Sequence, residues 1–367
     1  KGFDAFSYLS HRPTYPTWIY DRVLDFHFSA TPRSAVNRSL AIDLGCGPGI
    51  STLPLLPHFD NVLGLDPSPG MISTALRPQP SWDHVPPQLR PSSSPLQRPL
   101  ANLDYRVSNA EELHRILPPR SVDLVISAQA VHWFDHPRLW SSLSRVVSPG
   151  GTVAFWGYAD FFLPQFPHLK PLITRFAQGD DTAPPLQTEE DPTQFVSLGS
   201  YWEQPGRSIL VQGLSSVPLP SQVGRGSDAS VWDESNAYRR MHSLLDLLPE
   251  DRLPSWPRPA STVDQDTELM QRFMTWDQLD SYLRTWSSYQ AYLLSRPNPS
   301  PSSVDPIKSF LQRLKDEMVH SSLRAAAATQ GGHRPDPDRV CQQVESQPIL
   351  IRWPLSLIMI KKNLVAR

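Results

Sequence analysis

Ala41-Ile42-Asp43-Leu44-Gly45-Cys46-Gly47-Pro48-Gly49 is an apolar run that passes directly into three glycines on alternate positions. It predicts a buried strand, Leu40 to Leu44, that ends in a tight strand-to-helix turn. Gly45 and Gly47 allow the chain to turn sharply and let backbone N–H groups approach a ligand with no Cβ in the way. The helix after the turn would offer its positive end, and Gly49 would let that helix sit close to the sheet. A nicotinamide-binding fingerprint, G-x-G-x-x-G/A, would put a small residue at position 50, where this chain has Ile50.

Outward from the turn, short apolar runs alternate with longer helical patterns, the signature of βαβ units on a parallel sheet. The predicted strands are Leu40 to Leu44, Asn61 to Leu65, Asp104 to Val107, Val122 to Ser127 and Thr152 to Trp156. Pro149-Gly150-Gly151 reads as the turn between a helix from His136 to Val147 and the fifth strand. Beyond Tyr158 the period fades, and Phe161 to Pro259 reads as a helical, loop-rich insertion with many aromatics. Thr275 and Gln278 have capping-box spacing, and Trp276, Leu279, Tyr282, Leu283, Trp286 and Tyr289 fall at helical intervals, predicting one helix with an inward aromatic face. A second helix is predicted over Asp305 to Ala327, and Ile349 to Ile360 would close the sheet as a pair of segments. The organisation expected is an α/β core with an N-terminal lid over residues 1–160, an insertion covering an acceptor pocket over 161–262, and the remainder of the core over 263–367.

Composition narrows the function. Lys and Arg number 34 against 36 Asp and Glu, for a net charge of -2, so no global positive field exists to hold nucleic acid or an anionic membrane. A small-molecule partner is expected. Cys46 and Cys341 stand alone, without the spacing of a disulfide framework or a zinc site, and no metal is expected. Charged residues scattered through the first thirty positions leave no signal-peptide stretch, which favours the cytoplasm. The apolar stretch Pro348 to Ile360 is too short to span a bilayer. Forty prolines cluster in stretches that read as surface loops, the densest from Arg77 to Leu100, which is too poor in apolar residues to order itself.

The G-x-G-x-G spacing, with an acid two residues before the first glycine, resembles the first motif of class I methyltransferases that use S-adenosylmethionine (AdoMet). The resemblance implies a Rossmann-like, mostly parallel sheet with an antiparallel closing strand, and AdoMet as cofactor around Asp43, Gly45, Cys46 and Gly47. Asp66, at the end of the second strand, would then hold the ribose hydroxyls. Pro67-Ser68-Pro69-Gly70-Met71-Ile72 resembles the family segment that opens the next helix, with Met71 as an adenine wall or as core packing. In Ser108-Asn109-Ala110-Glu111-Glu112-Leu113, Ala110 and Glu111 are the candidates for contact with the adenine amino group. Val122 to Phe134, with Gln129 beside the cofactor, resembles the trans-aconitate methyltransferase-like group, including its fungal members. Arg12-Pro13-Thr14-Tyr15-Pro16, Tyr201 to Arg207 and Arg284 to Ser288 are similar to that group as well.

Those motifs imply methyl transfer to a small organic acceptor, a carboxylate or a hydroxyl, in secondary metabolism. His132 lies just beyond a strand's C-terminal end, where ligands bind in open α/β sheets, and reads as a base, a pocket wall or a structural histidine. Trp133 would line the pocket beside it. Tyr8, Arg12 and Tyr15 read either as a lid over the cofactor or as helix packing, and Arg207 as a partner for a substrate carboxylate or as a surface residue. Cys46 reads as tight packing. A cyclase on the same fold and a non-catalytic interaction protein are the rival readings. Nucleic-acid methylation is disfavoured, because Gln129 to Trp133 stands where an Asn/Asp-Pro-Pro-Tyr segment would be needed.

Overall fold

The computed structural model describes residues 10–29, 38–77, 102–179, 196–223, 229–242, 269–296, 305–329 and 336–364. The first half runs through α1 (Thr17–Phe28), β1 (Leu40–Leu44), β2 (Asn61–Asp66), α2 (Pro69–Ala75), β3 (Asn102–Val107), β4 (Val122–Ala128), α3 (His136–Val146) and β5 (Val147–Tyr158). The second half adds α4 (Lys170–Gln178), α5 (Gly206–Val211), β6 (Trp232–His242), β7 (Met270–Met274), α6 (Trp276–Arg284), α7 (Ser287–Ser295), α8 (Pro306–Thr329), α9 (Pro337–Ser346), β8 (Ile349–Trp353) and β9 (Leu355–Lys362).

Seven strands form one sheet in the order β3-β2-β1-β4-β5-β9-β6. The pairings from β3 to β5 are parallel, while β9 runs antiparallel to both β5 and β6. The near-continuous apolar runs have their cause here, because both faces of the sheet are covered. Ala41, Val62, Leu124, Ala154 and Met359 feed the core on one face, and their chain neighbours Ile42, Leu63, Val125, Phe155 and Ile358 feed the core on the other. The expected mostly parallel sheet with an antiparallel closing strand is therefore present.

Several local expectations are corrected. The glycine turn leads into further turns and a single 3-10 turn at Leu53–Leu55, so no α-helix stands there to offer its positive end. Pro149-Gly150-Gly151 does not precede β5 but lies inside it, as a register irregularity opposite Val122 to Leu124, with Gly150 at φ 77°. The segment expected to be helical beyond Phe161 contributes β6 to the main sheet. Ile349 to Ile360 splits at Pro354: β9 joins the main sheet and β8 pairs with β7 in a separate two-stranded sheet. The single helix expected through Tyr289 is two helices, and α9 lies in a stretch for which no element was expected. The proline-rich segment, apart from Arg77, and Tyr8 lie outside the described residues.

Candidate active site

The C-terminal ends of β1, β2, β4 and β5 open on one side of the sheet into a cavity of about 260 Å³. Parallel strands bring their end loops together on that side, which is why ligands bind there in open α/β sheets. The cavity wall includes Gly45, Cys46, Gly47, Asp66, Met71, Gln129, His132 and Trp133 from the first half of the chain. Arg12 and Tyr15 come in from the N-terminal segment, and Arg207 from α5. Asp43, Ala110 and Glu111 are absent from that wall.

The glycines of the turn are needed for three different reasons. Gly45 has φ 67°, and a Cβ there would stand 2.3 Å from the Cβ of Ala130, so the turn is pressed against the loop after β4. Gly49, at φ 93°, would meet the Tyr105 hydroxyl at 2.4 Å, so its close packing is against β3 rather than against a helix. Gly47 faces open space, with Met71 Sδ the nearest atom at 3.9 Å, yet its φ of 54° is costly for residues with a Cβ. The amides expected to face a ligand are instead donated within the protein. Gly45 N–H and Cys46 N–H both donate to Leu65 O, at 2.8 and 3.0 Å, and Gly47 N–H donates to Asp66 Oδ2 at 3.0 Å. They tie the turn to β2.

Asp43 lies beneath the turn, fully buried, where its Oδ2 accepts the Ser51 and Thr52 hydroxyls at 2.6 and 2.7 Å. Burial raises its carboxyl pKa to about 7. It braces the turn from below. Asp66 differs: each oxygen accepts one N–H, from Ser68 at 2.8 Å and from Gly47 at 3.0 Å, and the group still lines the cavity. A carboxylate oxygen accepts more than one hydrogen bond, so Asp66 retains capacity for hydroxyls on the cavity side. Burial pushes the Cys46 thiol up, which keeps it protonated and unreactive. Ala110 is buried in a 3-10 turn, and Glu111 accepts the Asp135 N–H at 2.9 Å.

Gln129 sits in the left-handed region at φ 57°. Its side-chain amide is committed to the backbone at the end of β5, with Nε2 donating to Tyr158 O at 3.0 Å and Oε1 accepting Tyr158 N–H at 2.7 Å. The strained residue therefore clamps the β4 loop to the β5 end. Past this clamp His132 is buried, its ring centroid 4.7 Å from that of Trp133, and its Nδ1 has no partner. Burial, with Arg207, Arg12 and His136 nearby, lowers its pKa to about 3. Trp133 is 48% exposed at the cavity rim.

Neither arginine is a bare surface charge. Arg12 donates to the Tyr158 hydroxyl at 3.1 Å and to Thr285 O at 3.0 Å, and Arg207 is paired with Asp160. Asp160, Trp202 and Thr285 also line the cavity, and sequence reasoning did not single them out. The signal for Asp160 was available, since it lies two residues beyond the end of β5. Tyr282 and Trp286, read as core, are buried and form cavity wall as well.

Residues 42–155, from β1 to β5, match a family described as a methyltransferase domain. Over 322 residues the chain is 26% identical to the probable S-adenosylmethionine-dependent methyltransferase CRG1 of Saccharomyces cerevisiae, covering 86% of this chain and 88% of that one. It is 31% identical over 118 residues to a trans-aconitate 2-methyltransferase of Methylobacterium radiotolerans, covering 31% of this chain and 36% of that one. A solved structure of a putative type II methyltransferase from Anaeromyxobacter dehalogenans aligns with a TM-score of 0.49 at 22% identity, over 95% of this chain and 97% of that chain.

Proposed function

Since the chain is a class I S-adenosylmethionine-dependent methyltransferase, we propose that its acceptor is a small organic molecule carrying a carboxylate or a hydroxyl. The observation that carries the reading is the continuity of one cavity. The glycine turn, Asp66, Met71, Arg12, His132 and Arg207 all line it. In this reading Asp66 holds the ribose hydroxyls and Met71 packs against the adenine. Residues from 161 onward, including Trp202 and α5, cover the acceptor.

Bound AdoMet supplies an activated methyl group and a good thioether leaving group. The work left to the chain is to align the acceptor and exclude water. Gln129 fixes the loop that carries His132 and Trp133 against the end of β5, and Gly45 seats the turn against Ala130. A carboxylate acceptor is already ionised at neutral pH and needs no base; in this reading Arg12, on the cavity wall, orients it. For a hydroxyl acceptor, neutral His132 offers a ring nitrogen to the O–H.

The test is to incubate the protein with methyl-labelled AdoMet and a panel of small carboxylic acids, phenols and amines. Label in an acid or a phenol is expected. Transfer only to amines, or to a macromolecule added to the same reaction, sinks the proposal.

A further inference from the structure

Trp133 differs from the other aromatic residues around the cavity. Of the large apolar side chains exposed among the described residues, it is the one that lines the cavity, at 48% exposure. The other rings there are taken up by the protein itself. Tyr15, Tyr158, Tyr282 and Trp286 are buried, and Tyr282 and Trp286 meet edge to face with ring centroids 5.9 Å apart. Trp202 has the Arg207 guanidinium carbon 4.2 Å from its ring centroid, and its Nε1 donates to Ala177 O at 2.6 Å. A large ring left half in the open beside a cavity keeps apolar surface in water that a ligand can cover.

The backbone that carries this ring is fixed. Trp133 closes a 3-10 turn, Val131–Trp133, whose first residue is fully buried. Its N–H donates to Ala130 O at 2.9 Å, Val131 O accepts His136 Nε2 at 3.0 Å, and the Asp135 N–H donates to Glu111 Oε1 at 2.9 Å. With the Gln129 clamp before it, the turn is held on both sides. The ring itself lies against Gly206, the first residue of α5. A Cβ at 206 would stand 2.9 Å from Trp133 Cζ3, 3.1 Å from its Cε3 and 3.1 Å from His132 Cδ2, so the glycine lets α5 come down onto both rings. A flat surface fixed before a ligand arrives loses little freedom on binding, and a second flat ring matches it.

We infer that Trp133 is a specificity-determining residue of the acceptor cavity: its indole stacks against the acceptor, and the site selects acceptors with a flat, conjugated frame over saturated ones of the same charge and size. Gly206 acts through that ring and is a positioning residue. The inference rests on the acceptor reading given above and narrows its class.

The experiment uses the full chain loaded with S-adenosylhomocysteine and two matched pairs, benzoate with cyclohexanecarboxylate and benzamide with cyclohexanecarboxamide, each titrated by calorimetry. Within a pair the charge is the same and the flatness differs. The wild type is expected to bind the flat member of each pair about fivefold more tightly, the scale of one aromatic stack. Trp133→Leu keeps an apolar side chain without the ring, and is expected to bring both ratios to about one while S-adenosylhomocysteine binds as before. Trp133→Phe is expected to retain the preference, and Gly206→Ala to lower both ratios about twofold by displacing the ring. Equal or reversed affinities within the pairs, binding of none of the four, or ratios unmoved by Trp133→Leu overturn the inference. A loss of S-adenosylhomocysteine affinity of roughly tenfold in that variant also overturns it, by giving the ring to the cofactor. Should Trp133→Leu fail to fold, Gly206→Ala decides, with lowered ratios supporting the inference and unmoved ratios overturning it. A flat preference among the amides with neither acid bound counts against a carboxylate acceptor and leaves the stacking in place; acids bound without preference do the reverse.

Discussion

His132 is buried among cations, and its depressed pKa of about 3 follows from both facts. An imidazole so weakly basic stays neutral throughout the working range and takes a proton from a hydroxyl only at a large uphill cost. With a carboxylate acceptor, kcat/KM between pH 5.5 and 8 is therefore expected to show no inflection that His132→Asn removes; such an inflection near 6.5 would restore His132 as a titrating base. Asp66 makes the opposite case, an acid whose remaining lone pairs face the cavity. Asp66→Asn is expected to weaken S-adenosylhomocysteine at least tenfold in a calorimetric titration, and unchanged affinity would remove Asp66 from the cofactor site. At Gly45, two costs are separable. Gly45→Ala places a Cβ against Ala130 at a positive φ and should cost roughly 2 kcal/mol or more in urea unfolding, and adding Ala130→Gly should recover the contact part while leaving the backbone part of about 1 kcal/mol. The sequence made Gly45 and Asp66 legible because strand ends and glycine spacing carry them. Gln129 was placed in the site but not as a clamp, since only the fold brings the β5 backbone within reach of its amide.

Elements buried on both faces announce themselves, and those at the margins do not. β1, β2 and β4 are runs of apolar residues and were found almost to the residue. β6 is an edge strand, Trp-Asp-Glu-Ser-Asn-Ala-Tyr-Arg-Arg-Met-His, whose outer side needs no hydrogen-bonding partner and whose polar residues disguise it. The aromatic stripe from Trp276 to Tyr289 was read as one helix because α6 and α7 keep the inward period across the break. At that break Thr285 N–H and hydroxyl both turn back to Tyr282 O, and the freed Thr285 carbonyl meets Arg12. The interruption thereby belongs to the site. The capping box at the start of α6 is present as read, with Gln278 N–H donating to Thr275 Oγ1 and Thr275 N–H to Gln278 Oε1. Thr275→Ala is expected to lower stability by about 1 kcal/mol in chemical denaturation, and a loss indistinguishable from zero would mean that packing of Trp276 and Leu279 alone starts the helix.

Across the whole molecule, the site is supported from below by one buried ionisable group and walled by another, and their linkages to pH run in opposite directions. Asp43, raised from 3.8 to about 7, keeps its proton in the folded protein where the unfolded chain has lost it. Its contribution to stability is full below about 4 and is lost as pH rises through 7. His132, lowered from 6.5 to about 3, stays neutral in the folded protein where the unfolded chain binds a proton, so its contribution is present above 6.5 and is lost as pH falls through 3. Between about pH 4 and 6.5 the pair carries one proton in either state, and the two slopes cancel. Asp43→Asn removes one side of that balance and leaves the Ser51 and Thr52 hydroxyls an oxygen to meet. Relative to wild type, the variant's unfolding free energy should then climb with pH by about 1.4 kcal/mol per unit over that window, measured by urea unfolding at half-unit steps. Parallel curves for the two proteins would mean that the hydroxyls beneath the turn hold Asp43 as a carboxylate, and that the glycine turn rests on a charge.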